Sequence, residues 1–423
     1  MLEKYAIGID MGTSAIKGVL VTEDGKIVVT ATQATDLERP QAGEVVFSAL
    51  RHYEILCQVL RTLVKSVGKG TINAVVLSGA TGDTLLMDEN NRPLLSVIHW
   101  MDTRSMDDVS IDPPGMSSAD MYRVSGWPWF RSFPLAHLAW LKKNKTDEYG
   151  LAAKIGMNIT YQFYRLCGAW AMDYSTATTF YLQDQTHRTW HQPYLNWLGL
   201  NETQLPRLFP SGTRIGEITG KAALETGLPE GCAVVLGAFD HPSAARGAGV
   251  TVPGDLLLSL GTSWVGFYPV MERQSALRQD MLVDPFLSVE KGPWGAMFSL
   301  SKAGERLYAS LHSSYPGVRY DLERYRLFEL DIRSFIGNGQ PNNPAINLVN
   351  ELILTMREKT ESFSPHGFEV RRIVLVGGPS NNPAIVDLFG LVLNKPARVA
   401  DSASHAGALG AALLAGVHGK NAG

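Results

Sequence analysis

The chain has 423 residues, of which 45% are hydrophobic and 19% are charged, and this length suits two domains of an ordinary globular protein. The formal net charge of −3, without any run of Lys or Arg, argues against nucleic-acid binding. The longest late apolar stretch, residues 408–417, has about half of the ~20 residues that a membrane span needs. The three cysteines show no CxxC pairing, which is typical of a reducing compartment. Because the chain starts almost directly on a strand pattern, we expect no signal peptide and a cytoplasmic location.

The first elements form a predicted β-meander over residues 5–34. Its first turn carries Gly12-Thr13-Ser14 between two strand-like runs. Glycine has no Cβ to hold a phosphate away, so the backbone N–H groups and hydroxyls of such a turn can converge on an anion. Apolar spacing predicts a helix over residues 46–67. A buried strand at 72–77 and a turn-rich loop at 78–83 follow.

The middle of the chain continues this unit with strand-like residues 85–87 and the segment 98–104. Residues 135–200 are predicted to be a helical, Trp-rich cap or insertion over the first domain. A second buried strand then ends at Asp240, and Gly/Ala-rich helical residues follow it. Next comes a second strand–turn–strand pattern, which carries Gly261-Thr262-Ser263.

The last third is predicted to contain a helix over 344–364 and a buried strand at 372–376 that ends in Gly377-Gly378. Residues 406–416 form a predicted helix of small residues, able to pack very closely against a neighbour. Residues 313–345 are polar and contain Pro and Asn, and their pattern favours no element. Two halves built alike predict a duplicated α/β fold with a central cleft, in which the two Gly-Thr-Ser turns grip one polyphosphate.

The ordered series of motifs resembles the FGGY family of carbohydrate kinases. The resemblance implies an α/β fold of duplicated ribonuclease-H-like (actin-like ATPase) domains with an interdomain cleft, divided into residues 1–243 and 244–423. The chain is shorter than most of that family, and the missing residues fall around 305–345. The segments that carry the resemblance are Asp10–Ser14, Trp100–Arg104, Val124–Gly126, Leu138–Leu141, Tyr164–Gly168, Asp173–Ser175, Glu225–Pro229, Gly237–Asp240, Ala244–Gly249, Leu260–Ser263, Gly377–Gly378 and Ala406–Gly416.

Two aspartates are predicted to carry the chemistry of phosphoryl transfer. The resemblance implies that Asp240 is the base that takes the proton of a sugar hydroxyl, and that it also lies at the metal. The alternative is a helix N-cap, which Asp serves well at a strand–helix junction. Asp10, just before the first Gly-Thr-Ser, is predicted to hold Mg²⁺ through water, with a turn-forming Asp as the alternative.

A second group of residues is predicted to bind the nucleotide. The β and γ phosphates of ATP are expected to face the first turn together with Lys17, although an exposed strand lysine is the alternative for Lys17. The second Gly-Thr-Ser turn is expected to approach the phosphates from the other domain. The adenosine is expected against the two glycines that follow the strand ending at 376. The alternative for these glycines is a plain strand–helix turn. The predicted nucleotide-binding residues are Gly12, Thr13, Ser14, Lys17, Gly261, Thr262, Gly377, Gly378 and Asn381.

The sugar site is predicted at Thr81, Asp83, Trp100 and Asp102. Asp102 would accept paired hydrogen bonds from vicinal hydroxyls, and Trp100 would stack on an apolar sugar face. A core aromatic is the alternative for Trp100, and a structural ion pair with Arg104 is the alternative for Asp102. The loop at 79–83 lacks the Met-His of a typical xylulokinase and the Arg-Glu of a typical glycerol kinase, so the sugar stays open.

The function expected from this reading is an ATP-dependent kinase of a ketose, a pentulose or hexulose similar to xylulose or ribulose. The alternatives are a polyol or glycerol kinase, and a catalytically weak, actin-like protein that senses sugar or nucleotide. The expected partners are ATP, Mg²⁺ and a small sugar, with no nucleic acid and no membrane, and a homodimer is left open.

Overall fold

The computed structural model describes residues 3–68, 70–341 and 343–416. Two compact units can be separated by their internal contacts. The first contains the residues up to Gly247, the segment Asp284–Val289 and the residues from Gly407 onward. The second contains Ala248–Val283 and Glu290–Ala406. The sequence-based division at 243/244 differs from this one chiefly in the final helix, which makes its contacts with the first unit.

The first unit is built on a six-stranded mixed sheet with helices and short strand pairs around it. A Ser48 side chain caps the first helix by accepting a hydrogen bond from the Arg51 amide. The apolar face of this helix lies in the core. The elements in chain order are β1 (Lys4–Met11), β2 (Ala15–Thr22), β3 (Ile27–Ala34), β4 (Val46–Phe47), α1 (Ala49–Val64), β5 (Thr71–Gly79), β6 (Leu85–Met87), β7 (Val97–Ile98), α2 (Ser118–Ser125), α3 (Pro134–Asn144), α4 (Thr146–Gly150), β8 (Lys154–Gly156), α5 (Asn158–Cys167), β9 (Ala171–Asp173), α6 (Tyr174–Phe180), β10 (Gln183–Asp184), β11 (Thr189–Trp190), α7 (Gln192–Leu198), β12 (Arg207–Phe209), β13 (Arg214–Glu217), α8 (Gly220–Thr226), β14 (Ala233–Phe239) and α9 (Asp240–Gly247).

The second unit has its own six-stranded sheet. Its helices include the long α12 and α13, and one further helix, α15, follows it in the chain and packs in the first unit. The elements are β15 (Asp255–Leu260), β16 (Trp264–Val270), α10 (Arg273–Leu277), β17 (Leu282–Asp284), β18 (Trp294–Leu300), α11 (Ala303–Ser314), α12 (Asp321–Asn338), α13 (Pro344–Phe363), β19 (Arg372–Val376), α14 (Pro383–Leu393), β20 (Ala397–Val399) and α15 (Ala406–Leu413).

Five strands of each large sheet share one topology, which confirms the predicted duplication. The sixth strand differs, because β13 lies beside the parallel strands and β17 beside the meander. The strand order is β13-β14-β5-β1-β2-β3 in the first unit and β17-β18-β16-β15-β19-β20 in the second. In each sheet, the hairpin that carries Gly-Thr-Ser and a third antiparallel strand form a meander. Two further strands lie on the other side of the first meander strand and run parallel to it. Both hairpins therefore end at equivalent positions of equivalent sheets.

The predicted elements that rest on clear periodicity are present. The meander, the helix after it and the strands at 72–77 and 372–376 all appear within a few residues of their expected bounds. The stretch 313–345, for which the sequence favoured no element, contains the 18-residue helix α12. The expected helical region at 135–200 holds five helices interrupted by short strands.

In the described part of the chain, no helix is long and apolar enough to span a membrane. The three cysteines are free thiols.

Candidate active site

Asp10 is a half-buried residue near the end of β1 in the first unit. Its Cα pairs with Lys17 across the hairpin and with Ser78 on the parallel neighbour β5. The Oδ1 atom is buried and has no hydrogen-bond partner within the described residues. Burial, together with the negative charge of Asp240, raises the pKa of Asp10 to about 7, while Lys17 acts in the opposite direction. A carboxylate with a buried, unpartnered oxygen and a raised pKa is typical of a functional site, and here it indicates a site that binds a cation.

Asp240 is the first residue of α9, directly after the buried strand β14. Its side chain is 31% exposed, and its Oδ1 accepts a hydrogen bond of 2.7 Å from the His241 amide. This amide belongs to the next residue, whereas a capping side chain accepts from the amide two or three residues further on, so this hydrogen bond is not the contact that the capping alternative predicts. Burial raises the pKa of Asp240 and the adjacent His241 partly offsets that rise, which suits a group that must take up a proton near neutral pH.

The small-residue helix α15 packs against the strand of Asp10 and against the helix of Asp240. A Cβ at Gly407 would lie 2.6 Å from Asp10 Oδ2. A Cβ at Gly410 would overlap the carbonyl oxygen of Ser243, in α9, and one at Gly8 in β1 would overlap the carbonyl oxygen of Ala408. The expected close packing of this helix is confirmed, and its partners are the two elements that carry the predicted catalytic aspartates.

The metal that the resemblance implies is compatible with these residues. Among the residues that the structure describes, no group of three or more His, Cys, Asp or Glu side chains could hold a metal ion. Mg²⁺, however, is commonly bound by one or two carboxylates together with waters and phosphate oxygens. Asp10, with its unpartnered buried oxygen, and the electrostatically coupled Asp240 fit that pattern.

The first Gly-Thr-Ser turn is partly open to solvent. Gly12 and Thr13 are half-buried and Ser14 is exposed. The Trp100 indole N–H lies 3.5 Å from Thr13 Oγ1, at the limit of a hydrogen bond. Trp100 is half-buried and lies beside the hairpin, whereas the core alternative predicts a fully enclosed ring. Its contact with sugar stays a prediction.

Thr81 and Asp83 are buried in the loop after β5. The Thr81 hydroxyl accepts a hydrogen bond of 2.7 Å from Thr179. Asp83 Oδ1 accepts one of 2.6 Å from the Asn158 amide at the first residue of α5. Burial raises the pKa of Asp83 to about 7, and this hydrogen bond lowers it in part. Both side chains thus have structural partners, and their part in sugar binding stays a prediction.

Asp102 forms the ion pair that the sequence left open as an alternative. Its Oδ2 accepts from the Val45 amide at 2.9 Å and from Arg104 Nη2 at 2.9 Å. Its Oδ1 accepts from the Arg104 amide and from Arg104 Nε, both at 3.0 Å. Arg104 also binds Glu44. With 1% exposure, the carboxylate has its four acceptor positions occupied, and its contact with sugar stays a prediction.

An aromatic cluster next to these loops was missed by sequence reasoning. Phe239, immediately before Asp240, packs edge-on against Trp127, which also contacts Phe133. A Cβ at Gly82, between Thr81 and Asp83, would lie 2.6 Å from the Phe133 ring. The cluster therefore joins the loop after β5 to the end of β14. Its residues are spread over positions 82–239, so no local pattern marks them.

In the second unit, the other Gly-Thr-Ser turn is covered by the start of α11. Gly261 and Thr262 are exposed, and the Gly304 amide donates a hydrogen bond of 2.9 Å to the Thr262 carbonyl. A Cβ at Gly304 would overlap the Gly261 carbonyl oxygen. The Lys302 amide donates to Ser263 Oγ at 3.2 Å. These two N–H groups are therefore used to hold the turn against the start of α11, a contact that the sequence did not reveal.

The two glycines after β19 have different surroundings. Gly377 has a φ of +95°, and a Cβ there would lie 2.5 Å from the Leu260 carbonyl oxygen, so the backbone itself requires glycine. A Cβ at Gly378 would meet nothing within 4 Å. Gly378 and Asn381 line a cavity of about 1090 Å³, and Gly377 is not among its lining residues.

This cavity is bounded by the elements around the predicted adenosine site. Its volume is at the upper end of what ligand pockets span. Three tyrosines, none of them predicted, lie on its wall in and near α11 and α12: Tyr308, Tyr320 and Tyr325. Because α12 was not foreseen in the sequence, its aromatic residues were not candidates.

Solved structures of other proteins have the same overall fold. The xylulose kinase from Rhodospirillum rubrum superposes with a TM-score of 0.87 at 20% identity, covering 99% of this chain and 90% of that one. The Plasmodium falciparum glycerol kinase with ADP gives a TM-score of 0.84 at 17% identity, with 99% and 90% coverage. The fold is thus the duplicated ribonuclease-H-like fold of the actin-like ATPases.

The chain belongs to the FGGY family of carbohydrate kinases. Residues 5–247 match the N-terminal domain of that family and residues 340–419 match its C-terminal domain. A xylulose kinase of Bacillus subtilis (strain 168) is 27% identical over 267 residues, which are 62% of this chain and 53% of that protein. A gluconokinase of the same organism is 24% identical over 263 residues, 62% of this chain and 51% of that protein. The aligned region thus spans about half the length of these relatives.

Proposed function

We propose that the protein is an ATP-dependent carbohydrate kinase that transfers the γ-phosphoryl group of ATP to a hydroxyl of a ketose, a pentulose or hexulose. The observation that carries this proposal is the electrostatic coupling of two half-buried aspartates, Asp10 and Asp240, beside the first Gly-Thr-Ser hairpin. A metal-binding carboxylate next to a proton acceptor at a phosphate-binding turn is what phosphoryl transfer to an alcohol requires.

Asp240 would act on the acceptor. The sugar oxygen attacks the γ-phosphorus, the bond from that phosphorus to the β,γ-bridging oxygen breaks, and ADP leaves with the electron pair. The proton of the attacking hydroxyl passes to the Asp240 carboxylate. Its raised pKa makes this carboxylate a better proton acceptor than an ordinary exposed aspartate.

The other residues would bind and orient the nucleotide. The N–H groups of the turn at 12–14 and the Lys17 ammonium would face the phosphates, and Asp10 would hold Mg²⁺ together with Asp240. Bound Mg²⁺ supplies charge neutralisation to the phosphate oxygens. The turn at 261–263, which the start of α11 holds in place, would bind phosphate from the second unit, and the tyrosine-lined cavity beside Gly378 would receive the base.

A coupled ADP-release assay tests the proposal. The wild-type protein and Asp240→Asn are compared with ATP and Mg²⁺ over a panel of ketoses, sugar acids and polyols, including glycerol. The expected result is that one or a few ketoses raise ADP release well above the level without sugar, and that Asp240→Asn abolishes the rise. A response to polyols alone would favour the polyol kinase. Release indifferent to every acceptor, with intact ATP binding, would favour a nucleotide sensor instead.

A further inference from the structure

A buried serine hydroxyl is joined to the strand end that precedes Asp240. Ser175, in α6, donates its O–H to Asp284 Oδ2 at 2.6 Å and accepts the Phe239 N–H at 3.2 Å. Ser175 and Asp284 are each 1% exposed. Because a serine has one O–H, donation to Asp284 turns the hydroxyl lone pairs toward Phe239. Asp284 therefore sets the direction in which Ser175 can accept.

The Phe239 amide needs such a partner. The Phe239 N–H points away from β5, toward the side of β14 on which the pairing with β13 ends at Val235, so the ladder from β13 stops before it reaches this amide, just ahead of Asp240. A buried N–H without a partner destabilises the folded protein. On the opposite side, the Ala238 carbonyl accepts from Ser78 Oγ. The Ser175 hydroxyl thus takes the place of a strand partner on one side, while β5 and the Ser78 hydroxyl hold the other side.

The segment that carries Asp284 also contacts the helix that Asp240 begins. Asp284 Oδ1 accepts the Phe286 N–H at 2.7 Å. Phe286 has a φ of +40°, in the left-handed region that an aromatic residue adopts only at a cost. Its ring lies 5.2 Å from the Arg246 guanidinium of α9. One short segment therefore contacts the residues before and after Asp240.

We propose that Asp284 is a positioning residue for Asp240, acting through the Ser175 hydroxyl and the Phe239 amide. The inference rests on the proposed function, in which Asp240 accepts the hydroxyl proton. Asp284 touches neither sugar nor nucleotide in this proposal. It holds the peptide at the start of α9 in the orientation from which the Asp240 carboxylate reaches the acceptor, and misplacement by about 1 Å can cost about 10²-fold in rate.

Two substitutions break the relay at different points. Ser175→Ala removes one oxygen and leaves Phe239 without its acceptor. Asp284→Asn keeps the shape, but its amide presents one acceptor and one donor side, so it cannot accept from both Ser175 and Phe286. The matched control is Thr226→Val in α8. The buried Thr226 hydroxyl also donates one hydrogen bond, to the Ala222 carbonyl, and accepts one from a backbone amide, that of Leu228.

Hydrogen–deuterium exchange and steady-state kinetics measured on the same variants test the proposal. We expect faster exchange in the peptide spanning 234–243 for Ser175→Ala and Asp284→Asn, and a kcat lowered about 10-fold or more with the KM for ATP unchanged. Thr226→Val is expected to change neither quantity, although it lowers the melting temperature. Wild-type exchange in this peptide for both variants, or faster exchange with full kcat, would overturn the proposal.

The exchange measurement does not depend on the proposed function. If the wild-type protein released no ADP with any acceptor, the kinase proposal would fail. Unchanged exchange in the Ser175→Ala variant would instead refute the relay from Asp284 to Phe239, whether or not the protein is active. The two failures are therefore distinguishable.

Discussion

Gly410 in α15 lies directly against Ser243 in α9, so closely that a Cβ at Gly410 would overlap the Ser243 carbonyl oxygen. Ser243 is the fourth residue of the helix that Asp240 begins, and its hydroxyl lies 2.5 Å from that of Ser78 on β5. The last described helix of the chain thus fixes the distance between the helix of the proposed base and the central sheet.

Gly410→Ala is expected to push α9 and α15 apart. The added methyl has backbone on its far side and cannot move away, so we expect a loss of about 1–3 kcal/mol in the free energy of unfolding and a lower kcat. Chemical denaturation and the ADP assay measure both. Gly337→Ala, in α12, is the control: a Cβ there meets nothing within 4 Å, so its stability should be unchanged or slightly higher. Equal stability of both variants would contradict the close contact.

The parts of the fold that were predicted from sequence are those with local signals. The hairpins were found because Gly-Thr-Ser interrupts period-two strands, and α15 because its residues are nearly all small. In contrast, α12 was missed because its charged residues outnumber its buried ones: Phe328 and Ile332 are buried, whereas Leu322 is 84% exposed. No apolar face of the usual width marks such a helix.

The residues of the candidate site also divide into those that a local sequence pattern marks and those that it does not. Asp10 and Asp240 follow strands, and the resemblance supplied their roles. The hydrogen bond between Ser175 and Asp284 joins residues 109 positions apart, and the aromatic contact of Trp127 with Phe239 is similarly distant. A single sequence carries no signal for such pairs, because their proximity is a property of the sheet and not of either segment.

Asp240→Asn is expected to lower turnover by roughly 10²-fold or more, because the amide keeps the shape of the side chain but cannot take a proton. ATP affinity, measured by calorimetry, should stay within about 3-fold of the wild-type value. The control is Asp147→Asn at an exposed position of α4, for which kcat should not change. Near wild-type turnover in Asp240→Asn would remove this residue from the mechanism.

Asp10→Asn is expected to stabilise the protein without ligand at pH 8. The folded-state pKa of Asp10, about 7, lies above the ordinary value of 3.8, so the stability that this group contributes is fully present below about pH 4 and is lost as the pH rises toward 7. Asparagine carries no charge to bury. The melting temperature of Asp10→Asn should therefore exceed that of the wild type at pH 8, and the difference should shrink toward pH 4.

This pH-dependent difference reports on Asp10 and on its interaction with Asp240. Asp83 and Asp284, whose pKa values burial also raises to about 7, are present in both proteins and cancel. The exposed Asp107 provides the control, since Asp107→Asn should change the melting temperature equally little at both pH values. The Asp10→Asn variant should also lose most of its Mg·ATP turnover. A melting-temperature difference that did not vary with pH would contradict the buried charge at Asp10.

Asp102→Asn separates a structural role from a sugar contact. Removing the charge that faces Arg104 breaks a largely enclosed ion pair, and we expect a loss of about 3 kcal/mol in the free energy of unfolding. If the carboxylate is structural, the KM for the acceptor stays near the wild-type value while stability falls. Full stability with a KM raised 10-fold or more would instead make Asp102 a sugar ligand. Urea denaturation and acceptor titrations on one preparation distinguish the two outcomes.

Tyr308 and Tyr325 are expected to bind the base of the nucleotide. Both line the cavity that contains Gly378 and Asn381, and both are partly exposed, so their rings are available for stacking. Base–aromatic stacking contributes about 1–3 kcal/mol, so Tyr308→Ala and Tyr325→Ala should each raise the KM for ATP by about 10-fold or more, with kcat within a factor of about 2. Tyr308→Phe and Tyr325→Phe keep the rings and should behave as the wild type. If the alanine variants left the KM for ATP unchanged, the base would have to bind at another part of the cavity. If the phenylalanine variants raised the KM for ATP, a hydrogen bond from the phenol would account for the effect in place of stacking.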